Sequence, residues 1–139
     1  MSRARILLVD DSLADVKLLR LALTEHRQDY ELQVLRSGED ALRFVNEQGK
    51  QGMQQHPCVI LLDLNLPQHD GLAVLGAIKR SADLAHVSVI VLSGFASPRQ
   101  QEEVANLGAV YMQKPMELSD YYELGKQVIE ICNGAAATA

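Results

Sequence analysis

The chain has 139 residues, 47% hydrophobic and 22% charged, the balance of a soluble globular protein with one sizeable core. Thirteen basic residues against 18 acidic ones give a net charge of −5, which lacks the basic footprint that a nucleic-acid backbone demands. The first apolar run reaches acidic residues too soon for a signal peptide or a membrane span, so a single cytoplasmic domain over residues 1–139 is expected, with its core at about 4–132 and a frayed tail at 133–139.

Residues 5–10, RILLVD, form a continuous apolar run of the kind found in parallel strands covered on both faces. The run ends on Asp10, and a second acid, Asp11, stands directly beside it. Desolvating one carboxylate is costly, and two side by side repel, so the pair requires a partner of opposite charge. Residues 13–26 place Val16, Leu19 and Leu23 on one helical stripe, with Ser12 and Asp15 as a capping box. The second strand, 31–36, alternates and is expected nearer an edge; a helix at 38–45 follows. Residues 46–57 are polar, contain glycine and are long for a helix-to-strand connection, which fits a tolerated surface insertion or a contact for a partner.

The third strand, 58–64, reads CVILLDL and leads into a helix at 70–80. A fourth strand at 87–93 precedes a helix at 97–108, with Ser97 as N-cap, Pro98 at the first helical position and Gly108 as the stop. The fifth strand is 109–113, and a last helix at 119–132 carries Leu124, Val128 and Ile131 on one stripe. This alternation is a (βα)5 order, and right-handed crossovers make it a doubly wound α/β sheet. Cys58 and Cys132 form no metal-binding pattern; two reduced, packed thiols are expected, with a disulfide as the alternative. The four histidines are scattered and none receives a role.

In an open parallel sheet, ligands bind beyond the carboxyl ends of the strands. Those ends carry Asp10 and Asp11, then Asp63 and Asn65, then Ser93 and Gly94, then Lys114 and Pro115. Three acids, a hydroxyl and a lysine on one rim suit a hard divalent cation and a phosphoryl group, because Mg²⁺ prefers carboxylate, water and phosphate oxygens. Taken singly, each has a plainer reading: a solvated helix start for the two acids, a surface charge for Lys114, a core aromatic for Tyr111 and turn chemistry for Asn65, Pro67 and Gly71.

The Asp pair after strand 1, ILLDLNLPQHDG around strand 3, LSG after strand 4 and YMQKP after strand 5 together resemble the receiver domain of two-component response regulators, over about residues 4–132. The resemblance implies the flavodoxin-like three-layer fold with strand order 2-1-3-4-5. It implies Asp63 as phosphoacceptor for a sensor histidine kinase, and Mg²⁺ or Mn²⁺ held by Asp11 and Asp63, by Asp10 through water and by the Asn65 carbonyl. Lys114 would pair with Asp63 and then with the phosphoryl oxygens, aimed by a cis Lys114–Pro115 bond. Ser93 with Gly94 would meet the phosphoryl group, and Tyr111 would be the aromatic switch.

The same resemblance implies an output surface on helix 4, strand 5 and helix 5, used for an unidentified downstream protein or for a homodimer. Residues 46–57 and the single-domain form look similar to receivers that serve bacterial phytochromes. Phe95, two residues after Ser93, is expected to hinder the hydrolytic water and slow dephosphorylation. Two enzyme or cofactor readings compete. A haloacid-dehalogenase-type phosphatase needs an acid two residues after its nucleophile, where Asn65 stands. A flavodoxin-like flavin binder needs a phosphate cradle after strand 1, where the Asp pair repels phosphate. The expectation is therefore a phosphoacceptor, not an enzyme.

Overall fold

A computed structural model describes residues 4–26, 29–50 and 56–134, with the side chains of 49 and 50 left aside. Residues 51–55 and 135–139 lie outside the described residues, and residues 46–50, expected to open a long connection after a helix at 38–45, instead continue that helix to Lys50. Five strands alternate with five helices: β1 (Ala4–Val9), α1 (Leu13–His26), β2 (Tyr30–Leu35), α2 (Gly38–Lys50), β3 (Val59–Asp63), α3 (Gly71–Arg80), β4 (Ser88–Ser93), α4 (Pro98–Asn106), β5 (Val110–Gln113) and α5 (Leu118–Cys132). The sheet runs β2-β1-β3-β4-β5 with every pairing parallel, the order the resemblance implied.

The position of each strand follows from its side chains. All five residues of β3 are buried, whereas every residue of β2 keeps some exposure, as the alternation of ELQVLR anticipates for an edge. Alternate residues of the central strands feed two cores. Leu7, Val9, Ile60, Leu62, Val89 and Val91 pack on the side of α2, α3 and α4, and Ile6, Leu8, Val59, Leu61, Ile90 and Leu92 on the side of α1 and α5. Helices α1 and α5 meet closely: a Cβ on Gly125 would lie 3.0 Å from Ala22, so glycine there sets the approach.

Two local features aim the site. Ser97 and Gln100 close a full capping box at the start of α4, with Pro98 behind it, as the sequence predicts. The β3–α3 turn folds back so tightly that a Cβ on Gly71 would stand 2.6 Å from the Leu64 carbonyl oxygen, and Gln68 takes φ 64° within it.

The cysteines depart from expectation. Cys58, just before β3, is bonded to Cys132 at the end of α5, their Cα atoms 5.2 Å apart. The expected pair of separate thiols is thereby corrected, and the reason is topological: the amino edge of a central strand and the end of the last helix meet at the base of the sheet. The bond closes a loop across a sequence separation of 74, for which chain-entropy arguments give about 4 kcal/mol. Reduction with dithiothreitol is therefore expected to lower the unfolding free energy from urea titration by up to that amount, and Cys132→Ser should be insensitive to the reductant.

Candidate functional site

The carboxyl ends of β1, β3 and β5 bring the expected residues together. Asp10 and Asp63 are buried, 1% and 4% exposed, while Asp11 is exposed at the rim. One carboxylate oxygen from each of the three lies within 4.8 Å of the others. Asp10 Oδ1 accepts the Ser12 N–H at 2.9 Å, and Asp63 Oδ1 accepts the Asn65 N–H at 2.9 Å, so each acid is oriented by the turn that follows its strand.

Lys114 crosses from the end of β5 and donates to Asp63 Oδ2 at 3.0 Å, with Asp10 Oδ2 at 3.3 Å. Its shortest contact, at 2.7 Å, is to Asp15 Oδ2 on the first turn of α1. The sequence reading missed this role. Of the capping box that Ser12 and Asp15 predict, only half forms: the Asp15 N–H donates to Ser12 Oγ at 3.2 Å, while the carboxylate turns to the lysine. The other Asp15 oxygen accepts the Tyr121 hydroxyl of α5 at 3.0 Å, a second group the sequence did not single out. The available signal was position: Asp15 stands in the first turn of the helix that directly follows the Asp10–Asp11 pair.

The electrostatics follow from three carboxylates on one ammonium, with Asp11 beside two of them. Burial pushes the Asp10 carboxyl up to about 6, opposed by the Ser12 N–H and the Lys114 charge and reinforced by Asp63 and Asp15. Burial also raises Asp15, but the hydrogen bond and charge of Lys114, with the Tyr121 hydroxyl, bring it below the usual carboxylate range. For Lys114, burial disfavours the charge, and the hydrogen bonds of Asp15 and Asp63 more than reverse it, so the lysine stays protonated. Burial and the bond to Asp15 raise the Tyr121 phenol. The unbalanced negative charge, the all-oxygen donors and the 4.8 Å cluster fit a hard divalent cation.

Ser93 is fully buried at the end of β4. Its hydroxyl donates to the Phe95 carbonyl at 2.6 Å and accepts from the Asn65 side-chain amide at 2.9 Å and the Phe95 N–H at 3.1 Å. The hydroxyl proton is thus engaged by the β4–α4 loop. Gly94 is exposed, and a Cβ there would meet nothing within 4 Å. Phe95 presents its ring outward, 77% exposed, and touches the site through its backbone. Tyr111 is half-buried, opposite Val91 in the β4–β5 register, and packs on the α2–α3–α4 core.

One implied feature is corrected. No peptide bond is cis among the described residues, so Lys114–Pro115 is trans, the isomer an X-Pro bond ordinarily prefers. Lys114 is aimed instead by its three carboxylate partners and by its backbone N–H, which donates to the Ser93 carbonyl at 2.8 Å.

Comparison with known proteins agrees with this fold. Response regulator Rcp1 from Synechocystis is 38% identical over 122 residues, covering 86% of this chain and 82% of Rcp1. The crystal structure of the phosphorylated cyanobacterial phytochrome response regulator RcpA superposes with a TM-score of 0.84 at 30% identity, covering 99% of this chain and 100% of that one. The Mn²⁺-bound form of Rcp1 follows with a TM-score of 0.81 at 33% identity, covering 98% and 99%. A probable cyclic di-GMP phosphodiesterase from Vibrio cholerae is 31% identical over 120 residues, but this chain spans only 25% of its length. No helix among the described residues is long and apolar enough to cross a membrane. The response regulator receiver domain model matches residues 6–124, nearly all of the sheet and helices, and the chain belongs to that family.

Proposed function

We propose that Asp63 is the phosphoacceptor of this receiver and takes its phosphoryl group from a phosphohistidine of a sensor histidine kinase. The observation that carries the reading is the Lys114 ammonium 3.0 Å from Asp63 Oδ2, on a rim that Asp10 and Asp11 share. An Asp63 oxygen attacks phosphorus; the O–P bond forms as the P–N bond breaks, and its electron pair returns to the imidazole nitrogen of the kinase. Charge grows on the phosphoryl oxygens during transfer, and Lys114 stands where it can answer that charge without reorganising.

Asp10, Asp11, Asp63 and the Asn65 carbonyl would hold Mg²⁺ or Mn²⁺, Asp10 through water, and the Mn²⁺-bound form of Rcp1 supports that choice of ion. Such a cation supplies neutralisation of the carboxylate cluster and of the incoming phosphoryl group. The chain is a phosphoacceptor rather than a turnover enzyme.

Once Asp63 carries phosphate, Ser93 exchanges the Phe95 carbonyl for a phosphoryl oxygen, Gly94 leaves room for the loop to follow, and Tyr111 moves with it. The surface of α4, β5 and α5 then changes its affinity for a downstream protein or a second copy. The likeness to RcpA supports a bacterial phytochrome as the kinase, acting in the cytoplasm.

Incubation with acetyl phosphate, with Mg²⁺ or with excess chelator, tests the reading by intact mass. An adduct of one phosphoryl group that requires the cation is the expected result. Steady phosphate release from varied monoesters, or co-purified flavin, would overturn it. In the same assay Phe95→Ala is expected to lose phosphate at about the parent's rate, because its ring points outward and only its backbone touches the site, which corrects the expected shielding role; several-fold faster loss would restore the ring as a shield against water. The variant's stability should shift by no more than about 0.5 kcal/mol, since so exposed a side chain packs on little.

A further inference from the structure

Lys114 is shared by Asp15, Asp63 and Asp10, and its shortest contact goes to the one partner outside the implied metal and phosphoryl set. Asp15 in turn spends its second oxygen on Tyr121, which is buried on α5. The three contacts form one unbroken path: Asp63 to Lys114 at 3.0 Å, Lys114 to Asp15 at 2.7 Å, Asp15 to Tyr121 at 3.0 Å. It runs from the end of β3 through the β5–α5 loop and the first turn of α1 into α5. We propose that Asp15 is a positioning residue that ties Lys114 to Tyr121, so that a phosphoryl group on Asp63 is sensed at α5 through α1.

The inference rests on Asp63 being the phosphoacceptor, and it adds a route distinct from Ser93 and Tyr111, which lie toward the other core. The physical cause is competition for one cation. A phosphoryl group replaces a single carboxylate charge with about −1.5 to −2 spread over three oxygens. Lys114 moves toward that charge, and its contact with Asp15 lengthens. Asp15 then rebalances toward Tyr121 or water, and the Tyr121 hydroxyl changes its hydrogen bond. The packing is suited to carry this on. Tyr121 lies one turn before Gly125, where α5 sits against Ala22 of α1 too closely for a side chain, so the helices cannot absorb the change by compressing.

The test is ¹⁹F NMR of protein labelled with 3-fluorotyrosine, the Tyr121 resonance being assigned by its loss in Tyr121→Phe. Addition of Mg²⁺ with beryllofluoride, a phosphoryl mimic, is expected to move both the Tyr121 and Tyr111 signals of the parent by more than their linewidths. In Asp15→Asn saturated with Mg²⁺ and beryllofluoride, Tyr111 should still move while Tyr121 stays in place. A parent in which Tyr111 moves and Tyr121 does not would overturn the proposal, and this arm needs no variant to fold. Equal movement of Tyr121 in Asp15→Asn and parent would overturn it too. Absence of any adduct on the parent would remove the phosphoacceptor reading itself and this inference with it.

Discussion

Asp63→Asn is expected to take up no measurable phosphoryl group from acetyl phosphate in the presence of Mg²⁺, a fall in rate of at least about two orders of magnitude. The amide has no free carboxylate oxygen to attack phosphorus. Neither Asp10 nor Asp11 replaces it, because neither stands at the end of β3 with Lys114 aimed at it as at Asp63. The variant should nevertheless fold. Its amide oxygen can still accept the Asn65 N–H, and Lys114 keeps Asp15 and Asp10 as partners. Its unfolding free energy from urea titration is expected to stay within about 1 kcal/mol of the parent. An adduct of unchanged yield in this variant would move the phosphoacceptor elsewhere.

Replacing both Asp10 and Asp11 by asparagine is expected to abolish Mg²⁺-dependent phosphorylation and, in the absence of metal, to stabilise the fold. Asp10 carries the burden. Its carboxyl titrates near 6 in the folded chain against 3.8 for the ordinary group, because it is desolvated among acids. Between those values the folded chain holds a proton that the unfolded chain releases, so this residue makes stability fall as pH rises from about 4 to 6. Above pH 6 the cost is complete, on the order of 1–3 kcal/mol.

Asparagine removes that cost while its side-chain oxygen can still accept the Ser12 N–H. At pH 7 with chelator the double variant should therefore unfold at higher urea than the parent, and the gap should close near pH 4. Saturating Mg²⁺ should reverse the ranking, since only the parent gains stability by binding the cation. A double variant less stable than the parent at pH 7 without metal would mean that the acidic pair is not a folding cost.

Much of this was legible in the chain itself. The apolar runs and their helical partners specified (βα)5, and the ends of those runs named Asp10, Asp11, Asp63, Ser93 and Lys114, because a doubly wound sheet delivers its strand ends to one rim. The alternation of ELQVLR foretold an edge position for β2.

Three things did not appear at that level. Asp15 reads locally as a helix-start acid, and only the approach of β5 to α1 shows that its carboxylate serves Lys114. Cys58 and Cys132 are separated by 74 positions, and their meeting depends on where α5 ends against β3. Ser93 reads as a free hydroxyl, yet the path of the β4–α4 loop engages its proton.

The sequence by itself determined which residues end the strands and so which side chains converge on the rim, since periodicity of two and of 3.6 is local chemistry. Only the tertiary structure decided how those side chains share one lysine and which helix shares it with them. The reason is that partner choice among charges depends on distances of a few ångströms between elements far apart in the chain, and no local pattern encodes those distances.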